Sequence, residues 1–263
     1  MTGTAEEKSD AVKTTCGPDG RLLPFHEIDG ETRAALDAMC RVRSYRTNQT
    51  VVQDGEKTDF LGYVLSGILR MQKSLVDGRQ HIVGLLFEGD MFGRAFDGAV
   101  EFSIEAATDV EICAFPRAEF EALLMRSPDL DRAVMLNILN ELDRARDWMI
   151  VLSNQKIVSR IAGFLLLMRS RFSAIDHIIE ETQRGTEVRL PISRKDLAHL
   201  LGTRPESVSR AFHALQDADE ISILEPDRML VRDFNLLAKR AGEDDISGLP
   251  SVKDLLREER LKT

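Results

Sequence analysis

Residues 193–215 read SRKDLAHLLGTRPESVSRAFHAL, and this stretch decides the fold. It splits into two short helical patterns around one turn. Leu197, Leu200 and Leu201 fall at helical spacing on one face of the first. Ser193 stands where an N-cap belongs, with Asp196 three residues on in the place of a capping-box acid. Gly202 follows the last leucine, where a helix end wants a residue tolerant of positive φ. Thr203 is placed to cap the second helix, and Pro205 lies in its first turn, where a missing N–H costs little. Val208, Phe212 and Leu215 then recur at i, i+4 and i+7 and face inward, which leaves Glu206, Ser209 and Arg210 on the solvent side.

This is the pattern of a helix-turn-helix, whose second helix enters a DNA major groove and meets base edges with its N-terminal residues. The three solvent-side residues carry base-reading chemistry. Arg210 can bond guanine O6 and N7 bidentately, Glu206 can accept from cytosine N4, and Ser209 can contact a base or a phosphate. Thr203, Arg204 and Ser207 complete the expected DNA-facing set around the second helix. Arg194 and Lys195, at the start of the first, are assigned to phosphate by position. The same residues on an ordinary helical hairpin form a solvated face, so the surrounding sequence has to decide.

At 263 residues the chain is long enough for one or two domains with a real core, and 43% of it is apolar. No run of 18 apolar residues predicts a membrane span. The first residues, MTGTAEEKSDAVKTT, hold no apolar run of the secretory-signal kind, so a cytoplasmic protein is expected. Three widely spaced cysteines, Cys16, Cys40 and Cys113, do not make a disulfide framework. The net charge of −9 argues at first against nucleic acid, but it is unevenly spread. Residues 155–240 hold 14 Lys and Arg against 12 Asp and Glu, and the rest of the chain carries −11. A local basic face in a near-neutral domain can still neutralise phosphates.

Taken in order, residues 1–24 are polar and turn-rich, and residues 28–40 read as a helix with Asp29 as its cap. From Arg41 to Phe115 the period shortens to β-type segments at 42–45, 50–53, 60–66, 67–75, 79–87 and 110–115. The turns between them fall at Asp54-Gly55, Ser66-Gly67, Asp77-Gly78 and Glu88-Gly89-Asp90, which predicts a barrel or roll. A short helix over 116–127 precedes a longer one over 129–153. In the longer one Met135, Ile138, Leu142, Ala145, Met149 and Leu152 alternate spacings of three and four, a heptad seam that wants a partner helix. A long amphipathic helix lying on its own roll is the alternative; about three heptads favour a parallel homodimer. A helix over 157–175, a loop at 183–186 and a strand at 188–192 lead into the helix-turn-helix. Strands at 221–224 and 229–231, turning at Pro226-Asp227, follow it as a wing, with Arg228 at the tip as a further phosphate candidate. Residues 241–263 are an extension in which 251–261 reads as a last helix.

The order roll, long helix, winged helix-turn-helix resembles the cyclic-AMP receptor / fumarate-nitrate-reduction regulator (Crp/Fnr) superfamily over about residues 25–240. The segments FLGYVLSGILRMQK, FEGDMFG and LAHLLGTRPESVSRAF carry the resemblance. The Glu-x-x-Ser-Arg pattern of Glu206, Ser209 and Arg210 resembles the Fnr/FixK-like branch; the cyclic-AMP branch usually has Gly before the Arg. The resemblance implies an α+β chain: a cyclic-nucleotide-binding-like β-roll (25–128), a dimerisation helix (129–154) and a winged helix-turn-helix (155–240). It further implies a homodimer that binds a TTGAT-like palindrome, contacts RNA polymerase and controls anaerobic, oxygen-limited or nitrogen-oxide metabolism.

What the roll senses is a separate question. The resemblance puts an Arg-Ser or Arg-Thr pair on a cyclic phosphate, but GDMFGRAFDGAVEFSIEAATDVEI has Arg94 alone, with Glu101 and Glu105 to repel an anion. That argues against cyclic AMP. An iron–sulfur cluster, the branch's best-known sensor, needs soft thiolates, normally four. Cys113 falls at the family's roll position and Cys16 in its N-terminal region, so these two are the metal-ligand candidates. The two neighbours that Cys16 would need are missing, and Asp19 or His26 would have to complete a set. Cys40 reads as a buried small hydrophobe. Haem, with His26 or His81 as ligand, is a second option, and a roll without any cofactor is the favoured one. The chain carries no P-loop, HExxH, GxSxG or CxxC, and its histidines are dispersed, so an enzyme is not expected. An interaction protein on the same fold that binds no DNA is the remaining alternative.

Overall fold

Asp29 caps the first helix, α1 (Gly30–Met39), as its position predicts: one carboxylate oxygen accepts from the backbone N–H of Glu31 at 3.0 Å and of Thr32 at 2.9 Å. The computed structural model describes residues 28–74, 80–96, 98–172 and 178–242. By contacts the chain divides into two compact units, Met1–Leu142 and Asp143–Thr263.

The first unit holds strands β1 (Arg41–Tyr45), β2 (Thr50–Val52), β3 (Phe60–Ser66), β4 (Leu69–Ser74), β5 (Gln80–Leu86), β6 (Met91–Phe92), β7 (Ser103–Ala106) and β8 (Val110–Pro116). They pair antiparallel in two four-stranded sheets, β1-β8-β3-β6 and β2-β7-β4-β5. Strand β8 explains the architecture. Its Cys113 and Phe115 enter one apolar cluster with Leu36, Phe120 and Leu130, and its Val110, Ile112 and Ala114 enter another with Val64, Leu69 and Ile104. A strand buried on both faces reads as a continuous apolar run, as VEICAF nearly does. The turn at Gly67 needs its glycine: φ is +80°, and a Cβ there would lie 2.2 Å from the Asp109 carbonyl oxygen. Strands β6 and β7 were not expected, because two and four residues are too few to show an alternation. The Asp77-Gly78 turn lies outside the described residues.

One correction concerns this unit. Cys40 and Cys113 are joined by a disulfide, with Cα atoms 5.5 Å apart. Pairing of Val42 with Cys113 across β1 and β8 carries Cys40, at the end of α1, to its partner across 73 residues of sequence. Spacing along the chain does not reveal such a contact. Cys113, a metal-ligand candidate by sequence, therefore has its sulfur in this bond; Cys16 lies outside the described residues. After α2 (Arg117–Leu124), the helix α3 runs from Pro128 to Ser153 and crosses the division at Leu142.

In the second unit the last turns of α3 pack on α4 (Ile157–Phe172). Trp148 stacks on Phe164 with ring centroids 5.8 Å apart. A Cβ at Gly163 would sit 3.1 Å from a Val151 methyl, so a small residue fits best there. A four-stranded sheet, order β11-β12-β10-β9, uses β9 (Ile179–Thr182), β10 (Gly185–Arg189), β11 (Ser222–Glu225) and β12 (Arg228–Val231). The loop expected at 183–186 shrinks to the turn Gln183-Arg184 of the β9–β10 hairpin, and Gly185 and Thr186 belong to β10. The chain continues into α7 (Phe234–Ala241), capped by Asp233, whose carboxylate accepts from Asn235 N–H at 2.8 Å. The guanidinium of Arg169 lies 4.3 Å from the centroid of the Phe234 ring. The helix expected at 251–261 lies outside the described residues.

Candidate nucleic-acid interface

Helices α5 (Arg194–Leu200) and α6 (Pro205–Asp217) form the expected hairpin. Ser193 caps α5: its hydroxyl accepts from Asp196 N–H at 3.0 Å and donates to the Asp196 carboxylate at 2.8 Å. Gly202 takes φ +63° in the turn. Around it Thr203 N–H donates to the Ala198 carbonyl at 2.9 Å, closing the end of α5. The α6 cap is a correction. Arg204, not Thr203, is the N-cap, with no side-chain capping bond. Pro205 at the first helical position holds the residue before it extended, and Arg204 has φ −102° and ψ 149°.

Burial sorts α6 as its period predicts. Val208, Ala211, Phe212 and Leu215 are buried, and Glu206, Ser209 and Arg210 are exposed side by side at the N-terminal end. The Arg210 guanidinium touches Ser207 Oγ at 3.4 Å and otherwise faces solvent. Arg204 and Lys195 are also exposed, and Thr203 and Ser207 are half-buried on the same approach. Six of the eight residues named from sequence thus lie on or around the outer face of α6, with Lys195 at the start of α5. Arg194 does not share that exposure. Its guanidinium stacks 3.5 Å from the centroid of Phe212 and donates from Nε and Nη2 to the Pro226 carbonyl at 3.0 and 2.7 Å. Burial pushes its pKa down to about 10, against the nearby Asp227 carboxylate, so it stays charged at neutral pH. Arg228 is engaged too, 3.5 Å from Glu187 and 3.4 Å from Glu225.

Sequence reasoning missed Arg160. From α4 it donates to the Leu201 carbonyl at 2.8 Å and to the Asn154 carbonyl at 2.7 Å, so it satisfies chain ends at both α5 and α3. It also missed Gln216, whose side-chain oxygen accepts from Ile223 N–H at 3.1 Å and ties α6 to the wing. Both are ordinary polar residues in helical runs, and nothing in their spacing marks them.

Along α3, Met135, Ile138, Leu142, Ala145, Met149 and Leu152 are all exposed, five of them large apolar side chains between 36% and 71% accessible. Leu130, Ala133, Trp148 and Val151, on other faces of the same helix, are buried. A contiguous apolar stripe of this length marks an interaction surface.

Within the first unit a cavity of about 220 Å³ is lined by Leu61, Met91, Phe92, Phe102, Ile104 and other apolar groups, with Asn137 and Glu141 of α3 as its polar members. No cation is among the lining residues. Arg94 is exposed instead and reaches the Ala99 carbonyl at 3.3 Å and Glu101 at 3.7 Å. These side chains do not suit a cyclic phosphate. Nor does a four-thiolate cluster fit a chain of three cysteines, two of which are bonded to each other. Among the described residues no His, Cys, Asp and Glu gather in a metal-binding group; His81 is half-buried on β5, and His26 lies outside the described residues.

Comparison with known proteins places this geometry. The cyclic nucleotide-binding domain family matches residues 42–127, and the Crp-like helix-turn-helix domain family matches residues 159–240. The transcriptional activator protein FnrL of Cereibacter sphaeroides is 34% identical over 222 residues, 84% of this chain and 89% of that protein. The nitrogen fixation regulation protein FixK of Bradyrhizobium diazoefficiens is 34% identical over 197 residues, 75% of this chain and 81% of that protein. The structure of FixK2 from Bradyrhizobium japonicum superposes with a TM-score of 0.67 at 25% identity, covering 80% of this chain and 99% of that one.

Proposed function

The chain belongs to the Crp/Fnr family of transcription regulators, in its Fnr/FixK branch, and is not an enzyme; from that premise we propose that it binds a TTGAT-like palindrome as a homodimer. Glu206, Ser209 and Arg210 read base edges, and Lys195, Thr203, Arg204 and Ser207 hold the backbone. The observation that carries this reading is their exposure in one row at the N-terminal end of α6, whose other side is fixed in the core by Val208, Phe212 and Leu215. The α3 stripe pairs with the same stripe of a second copy, an isologous contact that sets two α6 helices on a two-fold operator. RNA polymerase is the further partner, in the cytoplasm. The relatives named as activators support activation as the mode, and the name of FixK, a nitrogen fixation regulation protein, supports genes of nitrogen metabolism as targets; control of anaerobic, oxygen-limited or nitrogen-oxide metabolism is the proposed role. No described helix is long and apolar enough to cross a membrane.

Fluorescence anisotropy with labelled duplexes tests the reading. At physiological salt the TTGAT palindrome should bind at least about a thousandfold more tightly than a shuffled duplex of the same composition. Equal affinity for both would leave a protein that holds DNA only by charge, or not as a regulator.

A further inference from the structure

Arg194 invites a phosphate role by its place at the start of α5, yet its surroundings describe another task. The guanidinium carbon lies over the Phe212 ring of α6, 3.5 Å from its centroid, and two guanidinium N–H groups converge on one oxygen, the Pro226 carbonyl of the wing turn. Nη1 is shielded from solvent and has no hydrogen-bond partner. A guanidinium so placed cannot meet a DNA phosphate without first giving up the stack and both hydrogen bonds. Lys195, the next residue, is exposed and has no such obstacle.

The other half of the wing turn is anchored from the opposite direction. The Asp227 carbonyl accepts from Leu190 N–H at 2.7 Å, and the Asp227 carboxylate lies 3.5 Å from Arg189 Nε at the end of β10. The turn is thus pinned to the sheet through Asp227 and to the reading helix through Pro226. Of these two links the second joins the wing turn to the reading hairpin through a side chain; Gln216 of α6 holds the wing elsewhere, at Ile223 of β11. Arginine suits the position and lysine does not. The planar fork can lie flat on an aromatic ring while two N–H groups address one acceptor, whereas an ammonium offers a point charge on a flexible stem.

We propose that Arg194 is a positioning residue for DNA recognition, a strut that fixes the distance between the wing turn and the recognition helix α6, and not a phosphate contact. This rests on the DNA-binding reading above for its consequence, but not for its geometry. With the strut removed, the wing turn loses its tie to α6, and the two surfaces that would straddle a duplex backbone are no longer held in register. Specific affinity then falls while the number of phosphates neutralised stays the same.

The test uses the full-length protein and three variants: Arg194→Met, which keeps the stem's volume and drops the fork; Arg194→Lys, which keeps the charge; and Phe212→Leu, which removes the ring. In the free protein, amide hydrogen exchange at Leu190, the donor to the wing turn, should speed up at least about tenfold in both Arg194 variants. Both should lose on the order of tenfold in affinity for the palindrome, equal to each other, with the salt slope unchanged. Phe212→Leu combined with Arg194→Met should cost less than the two separate losses together, because the residues share one contact. Three results overturn the proposal. One is Leu190 exchange as slow as in the wild type in both Arg194 variants. Another is Arg194→Lys binding like wild type while Arg194→Met loses affinity and about 0.9 of salt slope per subunit, the signature of a phosphate contact. The third is strict additivity of Arg194→Met with Phe212→Leu. Arg194→Lys decides the matter if Arg194→Met fails to fold. A wild-type protein with no preference for the palindrome would sink the DNA reading and leave the exchange result to judge the strut.

Discussion

Ile138→Glu should convert the protein to a monomer, and its size of effect can be worked from the α3 stripe. Ile138 is 59% exposed in the single chain, so a partner helix can still bury most of it. Full burial of such a side chain stabilises by about 1.5–3 kcal/mol, so the remaining part is about 1–2 kcal/mol per protomer. A two-fold interface contains the residue twice, which makes about 2–4 kcal/mol, or a dissociation constant about 30- to 1000-fold weaker from lost burial alone. Two carboxylates placed at a shared seam add desolvation and repulsion in the same direction. Glutamate is a good helix former, so α3 itself should survive, with helicity by circular dichroism as the control. Sedimentation velocity across a concentration series reads the outcome: wild type as dimer, the variant as monomer at concentrations where wild type is still paired. A variant that stays dimeric with an unchanged dissociation constant would refute the seam, and the stripe would need another occupant.

Arg210→Ala should cost about 1–3 kcal/mol per contacted base pair and relax discrimination at that position, measured by anisotropy on single-base operator variants; undiminished discrimination would remove Arg210 from the readers. Lys195→Ala should weaken binding to all duplexes alike and lower the salt slope by about 0.9 per subunit, whereas an unchanged slope would end its assignment to phosphate. Gly202→Ala should destabilise by about 1 kcal/mol in chemical unfolding. The cause is φ +63° alone, since a Cβ there meets nothing closer than Arg160 Nη1 at 4.0 Å. Ser159 is fully buried with its hydroxyl unpartnered among the described residues, so Ser159→Ala should be neutral or stabilising; a clear loss of stability would mean that the hydroxyl has a partner.

The reading hairpin was legible almost to the residue because its signals are local. A serine cap, a glycine at the helix end, a proline at the next start and a 3.6-residue period each act within a turn of where they stand. The one local miss, Thr203 in place of Arg204 as cap, came from weighing a capping side chain above the proline that fixes the residue before it. The exposed apolar stripe of α3 was legible for the same reason, as a periodic pattern on one helix. Strand β9 and helix α7 were less so: IEET is short and mostly polar, and FNLLAKRA carries its apolar positions over barely two turns. What sequence could not show is contact at a distance. The Cys40–Cys113 pair depends on the β1–β8 register, and the stowing of Arg194 depends on a wing turn 32 residues away. Residue type and position alone suggest a phosphate for Arg194; its contacts with Phe212 and Pro226 come from residues distant in sequence.

The central claim is that two copies of α6, joined through α3, read one two-fold operator, and a change of half-site spacing tests it most directly. Anisotropy would compare the TTGAT palindrome with the same sequence carrying five extra base pairs between its halves, about half a helical turn, at several salt concentrations. The account predicts that the insertion drops affinity to near that of a single half-site, since the second α6 would face the wrong side of the duplex. Equal affinity for the spaced and unspaced operators would contradict it and show that each subunit binds alone.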